Sequence, residues 1–383
     1  MITLFQGADI FDGRSLMPGS LLIDDGLVSA IVAPGTQVQA SNTVTLNGGI
    51  LAPGFVDLQV NGGGGVMLND RPAVETLATM AKAHARLGTL TFLPTLITDS
   101  ADHIRNAVDA VEKAVAMKMP GVAGLHLEGP HLSLARKGAH DATLIRDMSD
   151  NDVNFLVVAA KRLPCLMVTL APESVRPDQI SRLCGAGIIV SLGHSDASFE
   201  TCMAAFAAGA TMTTHLFNAM SPFGSRDPGL VGASLHNGGC SAGLIADGIH
   251  VHPVAISAAL RAKNGPGQIF LVTDAMACAG TVLSEFALNG RTIRRVAGRL
   301  VLADGTLAGA DLDMAQAVRV MVRDVGISVD RALAMATSVP ARIPGCAESC
   351  GGLVAGGRAD FLHLSNDLHL LSVWSGGEAV PVM

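Results

Sequence analysis

The stretch GLHLEGPHL, residues 124–132, reads as a buried strand up to Leu127 and then breaks, because an acidic residue, Glu128, stands between apolar neighbours and a Gly-Pro turn. A carboxylate is expensive to bury but useful at a rim where polar groups converge. Runs of the same kind recur along the chain: ILAPGFVDLQV (50–60), TLTFLPT (89–95), VAGLHLE (122–128), CLMVTLAPE (165–173), GIIVSLGH (187–194), ATMTTH (210–215), SAGLIAD (241–247) and IFLVTD (269–274). Each is a short, apolar, strand-like run bounded by turn residues. Helical patterns separate most of them; in 102–118, Ile104, Val108, Val111 and Val115 recur at intervals of four and three and mark one face. Alternating βα units imply a parallel sheet, and eight of them imply a closed (β/α)8 TIM-type barrel, whose chemistry sits at the C-terminal ends of its strands.

Those ends carry Asp57 with Gln59 and Asn61, then Glu128, His194, His215, Asp247 with His250, and Asp274. Glu128, His194 and His215 form a typical first shell for a catalytic divalent metal, zinc before iron(II) or manganese(II), with one position left for water. A single His at a strand end is more often a hydrogen-bonded structural residue; three such groups on neighbouring strand ends favour the metal. Asp274 has two readings of equal weight: a general base that takes a proton from water at the metal and returns it to a leaving group, or the N-cap of a following helix.

Other histidines divide by context. His250 precedes Pro253 in a loop and reads as a substrate contact, with His252 structural. His140, in the polar loop RKGAHDATLIRDM, reaches toward substrate, whereas His126 shares the inward face of Glu128 as a core or supporting residue. His84 and His103 fall in predicted helices as fillers. After His215, the loop FNAMSPFGSRDPGL offers an amide, turns and one guanidinium, Arg226, suited to a phosphate or carboxylate; an ion pair with Asp227 is an equally frequent reading. The glycine run at 61–65 lacks the Lys-Ser/Thr of a phosphate loop, so nucleotide binding is rejected.

Composition narrows the classes. The 383 residues are 49% hydrophobic and only 15% charged, which fits one large globular unit without long disorder. A formal charge of −7 argues against a nucleic-acid partner. The start MITLFQGADIFDG has no basic leader or cleavage pattern and no apolar run reaches membrane-spanning length, so a cytoplasmic protein is expected. Seven cysteines fit reduced thiols; Cys346 and Cys350 lack the second pair that a metal knuckle needs. Residues 1–50 and 344–383 are rich in short strands and Gly turns and are expected to pair as a small β-sandwich beside the barrel of 51–343.

The motifs PGFVDLQVNG, HLEGPHL, KGAH, LAPE, SLGHSDA, THLFNAM, ADGIHVHP, VTDAM and TLAGADLDM stand in the order seen in the N-acetylglucosamine-6-phosphate deacetylases of the amidohydrolase superfamily, which the chain resembles over essentially its whole length. The resemblance implies metal-dependent hydrolysis of the N-acetyl group, with Glu128, His194 and His215 holding one metal and Asp274 activating water. It implies His140 and His250 as contacts to sugar and acetamide, and Asn218, the backbone N–H of Ala219, and Arg226 as receivers of phosphate. In that family the Arg can come from a neighbouring subunit, so a homodimer is implied. One departure stands out: many superfamily members carry HxH on the first strand, where this chain has Gln59-Val60-Asn61, and amides are poor ligands beside imidazole, which favours a single metal. Rival readings are deacetylation of the galacto epimer, cyclic-amide hydrolysis and a non-catalytic sugar-phosphate sensor; the sensor would be expected to lose Asp274 or a metal ligand, and all are present.

Overall fold

A computed structural model of the protein describes residues 1–345 and 349–382; Cys346 lies outside the described residues. The eight runs form strands β1 (Phe55–Val60), β2 (Thr89–Ile97), β3 (Leu125–Glu128), β4 (Leu166–Leu170), β5 (Ile189–Leu192), β6 (Met212–Thr213), β7 (Ser241–Leu244) and β8 (Ile269–Leu271). They lie parallel and side by side in chain order. A parallel bridge between Val60 and Ala275 brings the two outer strands together, closing the barrel.

Helices occupy the intervals, and their apolar stripes face the strands. The helix Ala101–Ala116 is started by Ser100, whose side chain accepts from the backbone N–H of His103 at 3.2 Å. Of the stripe anticipated from spacing, Ile104, Val108 and Val111 are buried and Val115 is partly buried, with Ala107 buried beside them. Burial of each larger side chain contributes about 1.5–3 kcal/mol, which is what holds the helix to the barrel.

The run ILAPGFVDLQV divides into two strands. Ile50–Pro53 joins a six-stranded sheet between Phe361–Leu364 and Asp9–Phe11, and only from Phe55 does the chain enter the barrel. A second sheet of four strands contains Ile2–Gln6, Ser20–Asp24, Leu27–Val32 and Asn42–Thr45. The two terminal sheets enclose Phe5, Ile10, Leu21, Ile23, Leu51 and Phe361 in a core separate from that of the barrel.

A feature the periodicity did not announce follows β8. Strands Glu285–Leu288, Arg291–Val296, Arg299–Val301 and Leu307–Ala310 make an antiparallel sheet before the helix Met314–Arg323 begins, capped by Asp313. Its Leu288, Ile293, Leu300 and Ala308 pack on Met276 and Ile97, so this sheet stands at one side of the barrel mouth.

Candidate active site

Glu128 ends β3, while His194 and His215 each follow their strand by two residues. The three donors converge: His194 Nε2 and His215 Nε2 each lie 3.1 Å from Glu128 Oε1, and the two imidazole nitrogens are 3.0 Å apart. Among the described residues they are the one group of three suited to hold a metal ion, and all are buried. His194 Nδ1 donates to the carbonyl of Arg136 at 2.8 Å, which fixes the tautomer and leaves the Nε2 lone pair for a cation. One carboxylate and two imidazoles at these separations suit a single divalent cation with ligand bonds of about 2.0–2.2 Å.

The backbone at this site is held in unusual conformations. His194, His215 and Asp274 have φ of +47°, +32° and +52°, the left-handed region that side chains other than glycine rarely adopt. Each such residue costs on the order of 1–3 kcal/mol and persists because its surroundings determine it. The turn after Glu128 is reserved for glycine by space as well: at Gly129, φ +92°, a Cβ would stand 2.2 Å from Thr98 Oγ1.

On the first barrel strand and just past its end, Gln59 and Asn61 project amides. Gln59 Nε2 donates to both Glu128 oxygens, at 3.3 and 3.2 Å, and to Asp274 Oδ1 at 3.2 Å. Asn61 Nδ2 donates to Asp274 Oδ1 at 2.6 Å. Hydrogen-bond donors thus hold the two carboxylates on the first-strand side. No helix starts at Asp274, so the capping reading of this residue falls away.

Electrostatics follow from burial and pairing. Burial pushes the Glu128 carboxyl up, but the hydrogen bonds and charge of His194 and His215 outweigh it and hold it well below the usual carboxylate range. Burial, reinforced by the charge of Glu128, pushes Asp274 up to about 6. Burial, with His194 beside it, holds His140 well below the ordinary imidazole value, so its ring is neutral. Thr98 holds the ring in place, its backbone nitrogen 3.3 Å and its Oγ1 2.7 Å from His140 Nδ1.

A cavity of about 370 Å³ opens on this cluster, lined among others by His140, Asn218, Ala219, His250 and Asp274, a size in the range of small-molecule sites. His250 Nδ1 is 2.6 Å from Asp247 Oδ2, and Asp247 Oδ1 accepts from the backbone N–H of Ile249 and His250, both at 2.8 Å. The strand-end carboxylate of Asp247 therefore orients His250 and leaves its Nε2 as the ring nitrogen available to the cavity. Arg226 is exposed and does not line the cavity of its own chain; Asp227 accepts instead from the backbone N–H of Phe199 and Gly229.

The remaining histidines serve the scaffold. His126 bridges Thr95 Oγ1 at 3.2 Å and Thr169 Oγ1 at 2.7 Å in the barrel interior. The His252 side chain caps its helix, accepting from Val254 N at 3.2 Å. His84 sits against the glycine run, where a Cβ on Gly63 would lie 2.7 Å from its Nε2, so these glycines serve close packing. Three contributors escaped the sequence reading: Arg136, whose carbonyl orients His194; Thr98, which orients His140; and the sheet after β8, whose Leu288, Thr306 and Leu307 line the cavity. Arg136 ends a single 3-10 turn, Leu134–Arg136, and Thr98 lies in a loop, neither with a periodic signal, and the sheet segments alternate too briefly to stand out.

A parallel barrel with two imidazoles, a strand-end carboxylate and a second carboxylate at the eighth strand is the framework of a metal-assisted hydrolase. The Amidohydrolase family matches residues 50–380, and the chain belongs to it. It is 42% identical to the N-acetylgalactosamine-6-phosphate deacetylase of a Shewanella species, covering 92% of this chain and 88% of that one. It is 35% identical to the N-acetylglucosamine-6-phosphate deacetylase of Haemophilus influenzae, over 88% of both. The crystal structure of the N-acetylglucosamine-6-phosphate deacetylase from Pasteurella multocida superposes with a TM-score of 0.94 at 34% identity, covering 99% of each chain. No helix among the described residues is long and apolar enough to cross a membrane.

Proposed function

We propose that this amidohydrolase removes the N-acetyl group of N-acetylglucosamine-6-phosphate, giving glucosamine-6-phosphate and acetate. The observation that carries the reading is the convergence of Glu128, His194 and His215 with Asp274 at the floor of one cavity; the relatives named for this reaction supply the substrate class. Glu128, His194 and His215 are the residues to hold a divalent cation, zinc foremost; when bound, it supplies Lewis acidity toward the amide oxygen and lowers the pKa of water from about 16 toward about 7.

The chain's own groups do the rest. Asp274, its Oδ1 steadied by Asn61 and Gln59, takes the proton of the attacking water and hands it to the departing amine. Its upward-shifted carboxyl suits both halves of that exchange. Neutral His140, held by Thr98, contacts the sugar or acetamide, and His250, fixed by Asp247, steadies the developing oxyanion. Asn218 and the backbone N–H of Ala219 receive the phosphate together with Arg226 of the partner subunit, since Arg226 is exposed and outside its own cavity. The working form is accordingly a homodimer. A phosphorylated sugar does not cross membranes unaided, which supports an activity in the cytoplasm, where such sugars are made.

The 42% identity to the relative named as an N-acetylgalactosamine-6-phosphate deacetylase supports a second reading, in which N-acetylgalactosamine-6-phosphate is the preferred substrate. Acetate release from the gluco and galacto phosphates and from unphosphorylated N-acetylglucosamine, by protein loaded with zinc, separates the possibilities. Turnover is expected on the gluco phosphate above all. Equal rates without phosphate would remove the role of Arg226, and no acetate from any of the three would end the deacetylase reading.

A further inference from the structure

Asp57 is fully buried on β1 and without a place in the chemistry described above. Its carboxylate collects an unusual share of donors. Oδ1 accepts from the backbone N–H of Gln59 at 3.2 Å; both oxygens lie 3.3 Å from the backbone nitrogen of Thr273, and the Thr273 hydroxyl donates to Oδ2. That same hydroxyl accepts from Ala275 N at 3.3 Å, so Thr273 reaches across the residue between them, Asp274.

The location explains why such a clamp is needed. Strand β8 ends at Leu271, and beyond Val272, which still donates to Leu244 O at 3.1 Å, Asp274 is not carried by the β7 ladder. It is held from the β1 side and by the sheet that follows: Asp274 N donates to Gln59 O at 3.0 Å, and Ala310 N donates to Asp274 O at 3.0 Å. At φ +52° its backbone is in a conformation that has to be imposed by neighbours. Closing the seam does not itself call for an acid, because the neighbouring strands join through backbone bonds and, in the interior, through uncharged groups such as Thr95, His126 and Thr169. A buried carboxylate is costly unless fully hydrogen-bonded, so its presence at this one seam marks a requirement for placement.

We infer that Asp57 is a positioning residue that, through Thr273, fixes the backbone turn from which the Asp274 carboxylate reaches the reacting water. The inference rests on the reading of Asp274 as proton carrier, and the experiment separates the two. Zinc-loaded wild type, Asp57→Asn, Thr273→Val, Thr273→Ser and Asp274→Asn are compared for kcat and KM on N-acetylglucosamine-6-phosphate, for metal content and for melting temperature.

Asp57→Asn is expected to lower kcat about 10–100-fold, the usual cost of losing a residue that orients a reacting group, with KM within about twofold and metal content unchanged. Thr273→Val, which removes the hydroxyl at constant shape, should match it. Thr273→Ser, which keeps the hydroxyl, should recover most of the rate, and the Asp57→Asn/Thr273→Val pair should cost no more than the worse single change because the two act as one unit. A wild-type kcat in Thr273→Val or Asp57→Asn overturns the inference, as does a kcat loss that merely tracks loss of metal or folded protein. Should Asp57→Asn fail to fold, the Thr273→Val and Thr273→Ser comparison decides alone. Full activity in Asp274→Asn, or none in the wild type, strikes instead at the deacetylase mechanism itself.

Discussion

In the terminal sandwich, Phe361 lies between Phe5, edge-on at 4.9 Å, and Trp374, stacked at 4.8 Å, in a core of aliphatic and aromatic side chains. At the barrel mouth the buried residues are Gln59, Asn61, Glu128, His194, His215 and Asp274, several of them with backbones in the left-handed region. Both sets of side chains are buried, yet they are organised by opposite forces. The sandwich gains stability from every contact it makes, whereas the mouth holds desolvated polar groups and strained turns that a protein selected for stability alone would discard. Polar chemistry is concentrated where the barrel scaffold is rigid enough to impose it.

The contrast predicts a division between activity and stability. Asp274→Asn should lower kcat about 10³-fold or more, within the range for a general acid–base group, while metal content stays at the wild-type level and the melting temperature does not fall. In the wild type the acid limb of kcat/KM should lie at or below about 6, the value to which burial and Glu128 raise Asp274, because a cation bound beside it favours the ionised form. Turnover is lost as pH drops through that limb, since the base must be ionised. A limb above pH 7 would break the assignment.

Phe361→Ala should do the reverse. Truncating a ring with no solvent exposure is expected to destabilise by about 3–5 kcal/mol, read from denaturant unfolding, with kcat per folded molecule unchanged. A kcat that falls in step would mean that the two regions are not independent.

A smaller effect lies beneath the metal ligands. Burial, against the pull of Glu128, lowers His126 to about 4 from 6.5. A folded-state value depressed in this way gives stability that is present above pH 6.5 and lost as pH falls toward 4, about 3 kcal/mol in all. His126→Gln should flatten the unfolding free energy across that window, whatever it costs at neutral pH. Smallest in free energy is Arg226→Ala, which should raise KM for the phosphorylated substrate by about tenfold, an ion-pair-sized loss, and leave kcat nearly untouched.

Much of this was legible in the residues themselves. All eight barrel strands lie where short apolar runs meet turn residues, and Glu128, His194, His215 and Asp274 were visible because each is a polar group closing such a run. Asn218, Ala219 and His250 were placed by motif and do line the cavity. Arg136 and Thr98 were invisible, since Arg136 acts through its backbone carbonyl and Thr98 through its backbone N–H and one hydroxyl, groups that leave no pattern in the sequence. The sheet between β8 and the helix Met314–Arg323 was missed because short strands with few alternations give little period to detect.

By itself the sequence determined the alternation of strand and helix, and with it which residues end a strand, because side-chain period and turn chemistry are local properties. Tertiary structure alone decided that donors 66 and 87 residues apart from Glu128 meet within 3.1 Å, that Gln59 and Asn61 hold carboxylates, and that Asp57 clamps Thr273 across the seam. Those contacts depend on how the closed barrel curves its strand ends toward one another and joins its first strand to its last, and ring closure is a property of the whole sheet that no local stretch encodes.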